Sequence, residues 1–194
     1  MKKVGLFFGS FNPIHIGHLV IAEYMVEFTP LEQIWFVVSP QNPLKKKESL
    51  LSENNRIHMV RIAIEDDSRF KASNIEFSLP RPSYTIDTLV HLTEKYPKVD
   101  FSLIIGHDNL STLPKWKNYE ALLRNYKLYV YPRISSAQEK SILETHPSVI
   151  ITNAPIVELS STFIRKAIAE GKTIKHMVPP KVGEYIDEMN YYKK

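Results

Sequence analysis

Apolar residues along this chain change their period repeatedly, from short unbroken runs to helical spacing and back again. Lys3 to Phe8 (KVGLFF) is an apolar run that stops at Gly9 and predicts a strand covered on both faces. From Gly17 to Phe28 the apolar positions Leu19, Ile21, Ala22, Met25, Val26 and Phe28 fall at helical spacing. Gln33 to Val38 (QIWFVV) predicts a second buried strand, closed by the turn-forming Ser-Pro-Gln-Asn-Pro that follows. Ser52 is placed to cap a helix carrying Arg56, Met59, Val60 and Ala63. Ile75 to Leu79 (IEFSL) alternates and predicts a half-exposed edge strand, and Thr85 to Tyr96 predicts a helix stopped by Pro97. Phe101 to Ile105, Lys127 to Tyr131 and Val149 to Thr152 predict three further strands, with a helix from Trp116 to Leu123 between the first two. Two helices close the chain: Ser161 to Glu170, stopped by Gly171, and Val182 to Met189 after Pro179-Pro180.

Strands that alternate with helices pair in parallel through right-handed crossovers. The pattern therefore predicts an open, doubly wound, mostly parallel α/β sheet with helices at its C-terminal end. No repeat, low-complexity tract or linker divides residues 1–194, so one domain is expected. In such a sheet ligands bind beyond the carboxyl ends of the strands, where strand order reverses. The loops that follow strands are accordingly where chemistry is sought.

Composition narrows the classes. At 194 residues and 43% hydrophobic, the chain can build a core without covalent staples. It has no cysteine, which excludes disulfides, thiolate metal sites and a cysteine nucleophile. No apolar run approaches the roughly 20 residues of a membrane span, and the N-terminal apolar stretch is too short for a secretory signal. A cytoplasmic protein is expected. The net charge of +4 and pI near 9.1 admit anionic metabolites or nucleic acid. Lys and Arg are scattered, without a basic stripe or an aromatic platform, which disfavours nucleic acid.

The loop after the first strand runs Gly9-Ser10-Phe11-Asn12-Pro13-Ile14-His15-Ile16-Gly17-His18. Gly9 permits a sharp turn off the strand, and His15 and His18 are spaced to share one face at a helix start. Free N–H groups at a helix N-terminus favour anions, and two imidazole donors beside them would suit a phosphate. A zinc site is the other reading of a histidine pair, but no third ligand stands at a convincing spacing. Near the other end, Leu159-Ser160-Ser161-Thr162-Phe163-Ile164-Arg165 offers Ser160 or Ser161 as a helix cap. Arg165 lies one turn beyond Ser161 on the same face and could grip a phosphate bidentately.

The first string resembles the HxGH signature of a nucleotidyltransferase superfamily, and the second resembles that superfamily's ISSTxIR signature. The same HIGH letters mark class I aminoacyl-tRNA synthetases, but those are longer and carry a KMSKS-type motif that is absent here. Between the two signatures, Pro43-Leu44-Lys45, Arg56 to Met59, Tyr84-Thr85-Ile86-Asp87-Thr88-Leu89 and Ile105-Gly106-His107-Asp108-Asn109-Leu110 with Trp116 resemble segments of the nicotinate mononucleotide adenylyltransferases. His107, Lys117 and the order Tyr131-Pro132-Arg133 depart from the common family pattern.

The resemblance implies a Rossmann-like fold and transfer of the adenylyl group of ATP to nicotinate mononucleotide, with Mg²⁺ accompanying ATP and no protein metal site. It implies ATP contacts at Gly9, Ser10, Phe11, His15, His18, Gly106, Asp108, Ser161, Thr162 and Arg165. On the nicotinate-nucleotide side it implies Asn12, Lys45, Thr85 and Trp116. His15, His18, Lys45 and Arg165 would carry the catalysis. Neither nucleic acid nor membrane is expected as a partner, and self-association is left open.

Overall fold

Strands β1 (Lys2–Gly9), β2 (Gln33–Val38), β3 (Phe70–Ser73), β4 (Val99–Gly106), β5 (Lys127–Tyr131) and β6 (Val149–Ile151) form one sheet in the order β3-β2-β1-β4-β5-β6. The structure is a computed structural model that describes residues 1–40, 50–133 and 141–193. Every ladder in it is parallel. The helices are α1 (Ile16–Phe28), α2 (Glu53–Ala63), α3 (Thr85–Lys95), α4 (His107–Thr112), α5 (Tyr119–Asn125), α6 (Ser161–Ala169) and α7 (Pro180–Glu188).

Side chains on successive strand positions point to opposite faces, so each inner strand feeds two cores. On one face Phe7, Ile34, Phe36, Ile104 and Tyr129 pack with Met25 of α1, Val60 of α2, Ile164 of α6 and Ile186 of α7. On the other, Val4, Leu6, Trp35, Val37 and Leu103 pack with Leu89 and Leu92 of α3 and Leu122 of α5. Burying a Leu or Phe side chain stabilises by about 1.5–3 kcal/mol, and residues such as Leu6, Phe36 and Leu103 have no exposed surface at all. The helix-free continuity of β1, β2 and β4 in the sequence therefore reflects real two-sided cover.

Chain order reverses at β1, whose neighbours are β2 and β4. The segment after β1 crosses to one face to enter α1, and the segment after β4 enters α4, which packs on the other. Their divergence opens a crevice at the carboxyl edge of the sheet.

Three expectations change. Ile75 to Leu79 is not a strand: Ile75–Ser78 is a turn of 3-10 helix, and the edge strand is the earlier Phe70–Ser73. The alternation misled because Glu76, read as an outward residue, is buried. The true edge strand carries Lys71, whose ammonium lies 3.9 Å from the Trp35 ring centroid. The helix expected from Trp116 begins at Tyr119, because Asn118 takes a left-handed conformation (φ 49°) after the 3-10 turn Leu113–Lys115. The short α4 was not anticipated.

Candidate active site

The last rung between β1 and β2 is Ser39 N–H to Gly9 O (2.9 Å), and beyond it the two chains part. Phe11 follows with φ 44°, in the left-handed region where a bulky residue costs about 1 kcal/mol or more. That backbone turns the Phe11 ring inward, against Phe36 and the His18 ring, 5.6 and 5.0 Å away between centroids. The ring occupies the place beside Gly9: a Cβ there would stand 2.8 Å from Phe11 Cζ. Glycine at that position and a buried aromatic two residues later are one structural requirement.

His15 caps α1 with extended backbone, and the His15 and His18 rings stack at 3.7 Å. The His15 N–H donates to His18 Nδ1 at 3.2 Å, which leaves the ring proton of a neutral His18 on Nε2. Among the described residues Nδ1 of His15 is buried without a partner. Burial, then Arg133, lowers the His15 pKa to about 4. Burial, then His15, then Arg133 hold His18 well below the usual histidine range. Both imidazoles are thus neutral at pH 7, able to donate a hydrogen bond without carrying charge.

The C-terminal motif meets this loop directly. Ser160, not Ser161, caps α6, its Oγ accepting from Phe163 N–H (3.2 Å). Ser161 is thereby free to donate to Pro13 O at 2.9 Å. Arg165 donates from Nη1 to Asn12 O (2.9 Å) and from Nη2 to Thr162 Oγ1 (3.3 Å). The Asn12 side chain is buried and its Oδ1 accepts from Leu51 N–H and Tyr192 Oη, at 3.3 and 2.7 Å. Two segments some 150 residues apart are joined into one surface.

On the β4 side, Gly106 ends the strand, where a Cβ would stand 2.4 Å from Asp108 Oδ1 and 3.1 Å from Arg133 Nε. Asp108 faces Arg133 at 3.5 Å, and Arg133 also donates to Tyr131 Oη at 3.1 Å. Burial pushes the Tyr131 hydroxyl pKa up. Arg133 is a cation that the reading of the sequence noted only as a departure; its place just past β5, on the ligand-bearing edge, was the available signal. His107 Nε2 lies 3.0 Å from Glu144 Oε1.

Thr85 and Trp116, expected on the nicotinate-nucleotide side, lie at the start of α3 and at the end of the 3-10 turn after α4. Thr85 is the first residue of α3 and half-buried. Trp116 ends a 3-10 turn, packs partly into the second core and keeps its Nε1 buried and unpaired. Beside them Lys117 pairs with Asp87 at 2.8 Å and lies 4.8 Å from the Tyr84 ring centroid. Lys45 lies outside the described residues.

A family model described as cytidylyltransferase-like matches residues 6–167. A protein of Flavobacterium johnsoniae named "probable nicotinate-nucleotide adenylyltransferase" is 59% identical over 192 residues, covering 99% of this chain and 100% of its own length. The chain belongs to the nicotinate-nucleotide adenylyltransferase family. A Flavobacterium psychrophilum protein of the same name is 54% identical over 99% of this chain and 100% of its own. The fold is shared with the nicotinic acid mononucleotide adenylyltransferase of Plasmodium falciparum, solved in complex with NaAD, at a TM-score of 0.82 and 23% identity over 99% of this chain and 98% of that one.

Among the described residues of this adenylyltransferase no three His, Asp or Glu side chains gather as a metal site, and no helix is long and apolar enough to cross a membrane. One buried acid stands against α3. Glu76 accepts from Thr88 Oγ1 of α3 at 2.8 Å. Burial raises its pKa, while hydrogen bonds from Thr88, Ser39 and Ser83 pull it partly back.

Proposed function

We propose that the chain, acting as one domain in the cytoplasm, transfers the adenylyl group of ATP to nicotinate mononucleotide, forming nicotinate adenine dinucleotide and pyrophosphate. An oxygen of the acceptor's 5′-phosphate attacks the α-phosphorus of ATP, and the bond from that phosphorus to the bridging oxygen of the β-phosphate breaks. No covalent protein intermediate is needed, so positioning and charge stabilisation supply the catalysis.

The observation that carries this reading is the direct bonding of the two phosphate-binding segments, Ser161 to Pro13 and Arg165 to Asn12. It sets the N-termini of α1 and α6 side by side, where the positive ends of both helix dipoles favour an anion. A neutral His18, with Nε2–H outward, donates to the α-phosphate as its charge grows; His15 donates beside it. Ser161, Thr162 and Arg165 hold the β- and γ-phosphates and steady the departing pyrophosphate. Gly9, Ser10 and Phe11 shape the floor below them. Gly106 leaves room for the adenosine, and Asp108 accepts from a ribose hydroxyl. On the acceptor side Thr85 meets the nicotinate carboxylate at the start of α3, Trp116 stacks on the ring, Lys45 takes the acceptor phosphate, and Asn12 fixes the loop between the two substrates.

Mg²⁺ enters with ATP as part of the substrate. Bound with the nucleotide, Mg²⁺ would neutralise phosphate charge through phosphate and water oxygens. The test supplies ATP and Mg²⁺ with nicotinate mononucleotide, nicotinamide mononucleotide or phosphopantetheine and follows pyrophosphate release. Dinucleotide formation fastest with nicotinate mononucleotide is expected. Absence of turnover with all three, or preference for phosphopantetheine, overturns the reading.

A further inference from the structure

Arg56, on α2, is fully buried. Among the described residues all four of its hydrogen bonds go to main-chain carbonyls. Nε donates to Leu51 O (3.0 Å), Nη1 to both Ser10 O (2.7 Å) and Ser39 O (2.8 Å), and Nη2 to Pro40 O (3.1 Å). The nearby carboxylate of Glu53 pairs instead with Arg81, at 2.8 Å. Burying a guanidinium with no carboxylate on it is costly. A neutral side chain would serve a purely structural brace at less expense.

The position of these carbonyls explains the cation. Ser10 and Ser39 follow directly on Gly9 and Val38, the last paired residues of β1 and β2, where the ladder ends and the two chains separate. One runs to the histidine loop, the other to the segment that carries Lys45. Their carbonyls converge on the same nitrogen, and a donor with two protons and positive charge suits two like dipoles pointed together. The fork continues the sheet's spacing beyond the sheet. Tyr192, bonded to Asn12, and Arg165 back the same loop from the C-terminal side.

We infer that Arg56 is a positioning residue for adenylyl transfer: its fork sets the gap between the ATP-side loop after β1 and the acceptor-side chain after β2. The inference rests on the two-substrate reading above. Each substrate keeps its own contacts without Arg56, but attacking oxygen and α-phosphorus lose their alignment, which a displacement of an ångström can make worth roughly 100-fold in rate.

The test compares wild type, Arg56→Ala and Arg56→Lys, assayed well below their melting temperatures after circular dichroism confirms the fold. Arg56→Ala is expected to lose kcat by about 100-fold while both KM values stay within about threefold. Guanidinium chloride at tens of millimolar should restore a saturable part of that activity, with no gain from sodium chloride or in the wild type. Arg56→Lys keeps the charge but not the fork and should fall about tenfold; should the alanine variant fail to fold, this variant decides. A folded variant with near-normal kcat overturns the inference. So does a loss that guanidinium does not relieve and that appears equally in the two KM values. A wild type without turnover would instead remove the functional reading itself, so the two failures are distinguishable.

Discussion

The two halves of the crevice are built differently. On the phosphate half, nearly every proposed contact residue is already committed to another: Ser161 to Pro13, Arg165 to Asn12 and Thr162, His18 to His15. On the acceptor half the groups are less bound. Thr85 and Trp116 are half-exposed, the Trp116 Nε1 is unpaired, and the nearby charges of Asp87 and Lys117 sit largely in water. Preorganised donors lower a barrier because nothing must reorient as charge develops. A looser half can adapt to a ring and select it, but contributes to binding more than to rate. The contrast assigns kcat to one half and acceptor KM to the other.

The sharpest test of that division is His18→Ala. It should lower kcat by about 10³-fold, ~4 kcal/mol of transition-state stabilisation, with little change in melting temperature; near-normal turnover would remove His18 from the mechanism. Acid stability comes next. His15 has a folded-state pKa of about 4, below its unfolded value, so the unfolded chain takes up the proton first as pH falls. Its contribution is intact above about pH 6.5 and is lost progressively down to about pH 4, up to about 3 kcal/mol in all. Urea unfolding at pH 7 and pH 4.5 should therefore show a smaller acid loss in His15→Gln than in wild type, and equal losses would refute it. Arg165→Ala should cost about 100-fold in kcat/KM for ATP, ~3 kcal/mol, and leave the acceptor KM alone, as steady-state kinetics will show. Trp116→Ala should raise the acceptor KM about tenfold with kcat little changed. A fall in kcat instead would erase the contrast between the halves.

The smallest effect concerns Glu76. Its folded-state pKa is raised, so the protonated form is favoured in the native state and stability falls as pH rises through that value. Glu76→Gln keeps the Thr88 bond without the charge and should gain stability over wild type as pH rises, and almost nothing in acid. A pH-independent difference in melting temperature would exclude titration as the cause.

Much of this was legible in the residues. Buried parallel strands announce themselves because both faces are apolar, and Gln33–Val38 and Lys127–Tyr131 ended where their patterns ended. The helix starts at the two signature strings were legible because their structure is local: a helix start needs its cap and its glycine at fixed spacings. What stayed hidden depends on partners distant in the chain. Nothing near Arg133 in sequence says that it faces two histidines, and nothing near Glu76 says that Thr88 lies opposite a buried carboxyl. Whether Ser160 or Ser161 caps α6 was likewise undecidable until Pro13 was seen to take the second hydroxyl.

The bond from Tyr192 to Asn12 also has a meaning in time. The histidine loop is translated well before its braces at Ser161, Arg165 and Tyr192, which lie some 150 to 180 residues further along the chain. A nascent chain can complete much of the sheet while the histidine loop stays unbraced, and the loop gains the Asn12 bond only once Tyr192 has emerged. Ribosome-bound chains halted with Tyr192 still inside the exit tunnel should hold ATP more weakly than released protein, and equal retention would disprove that order of events.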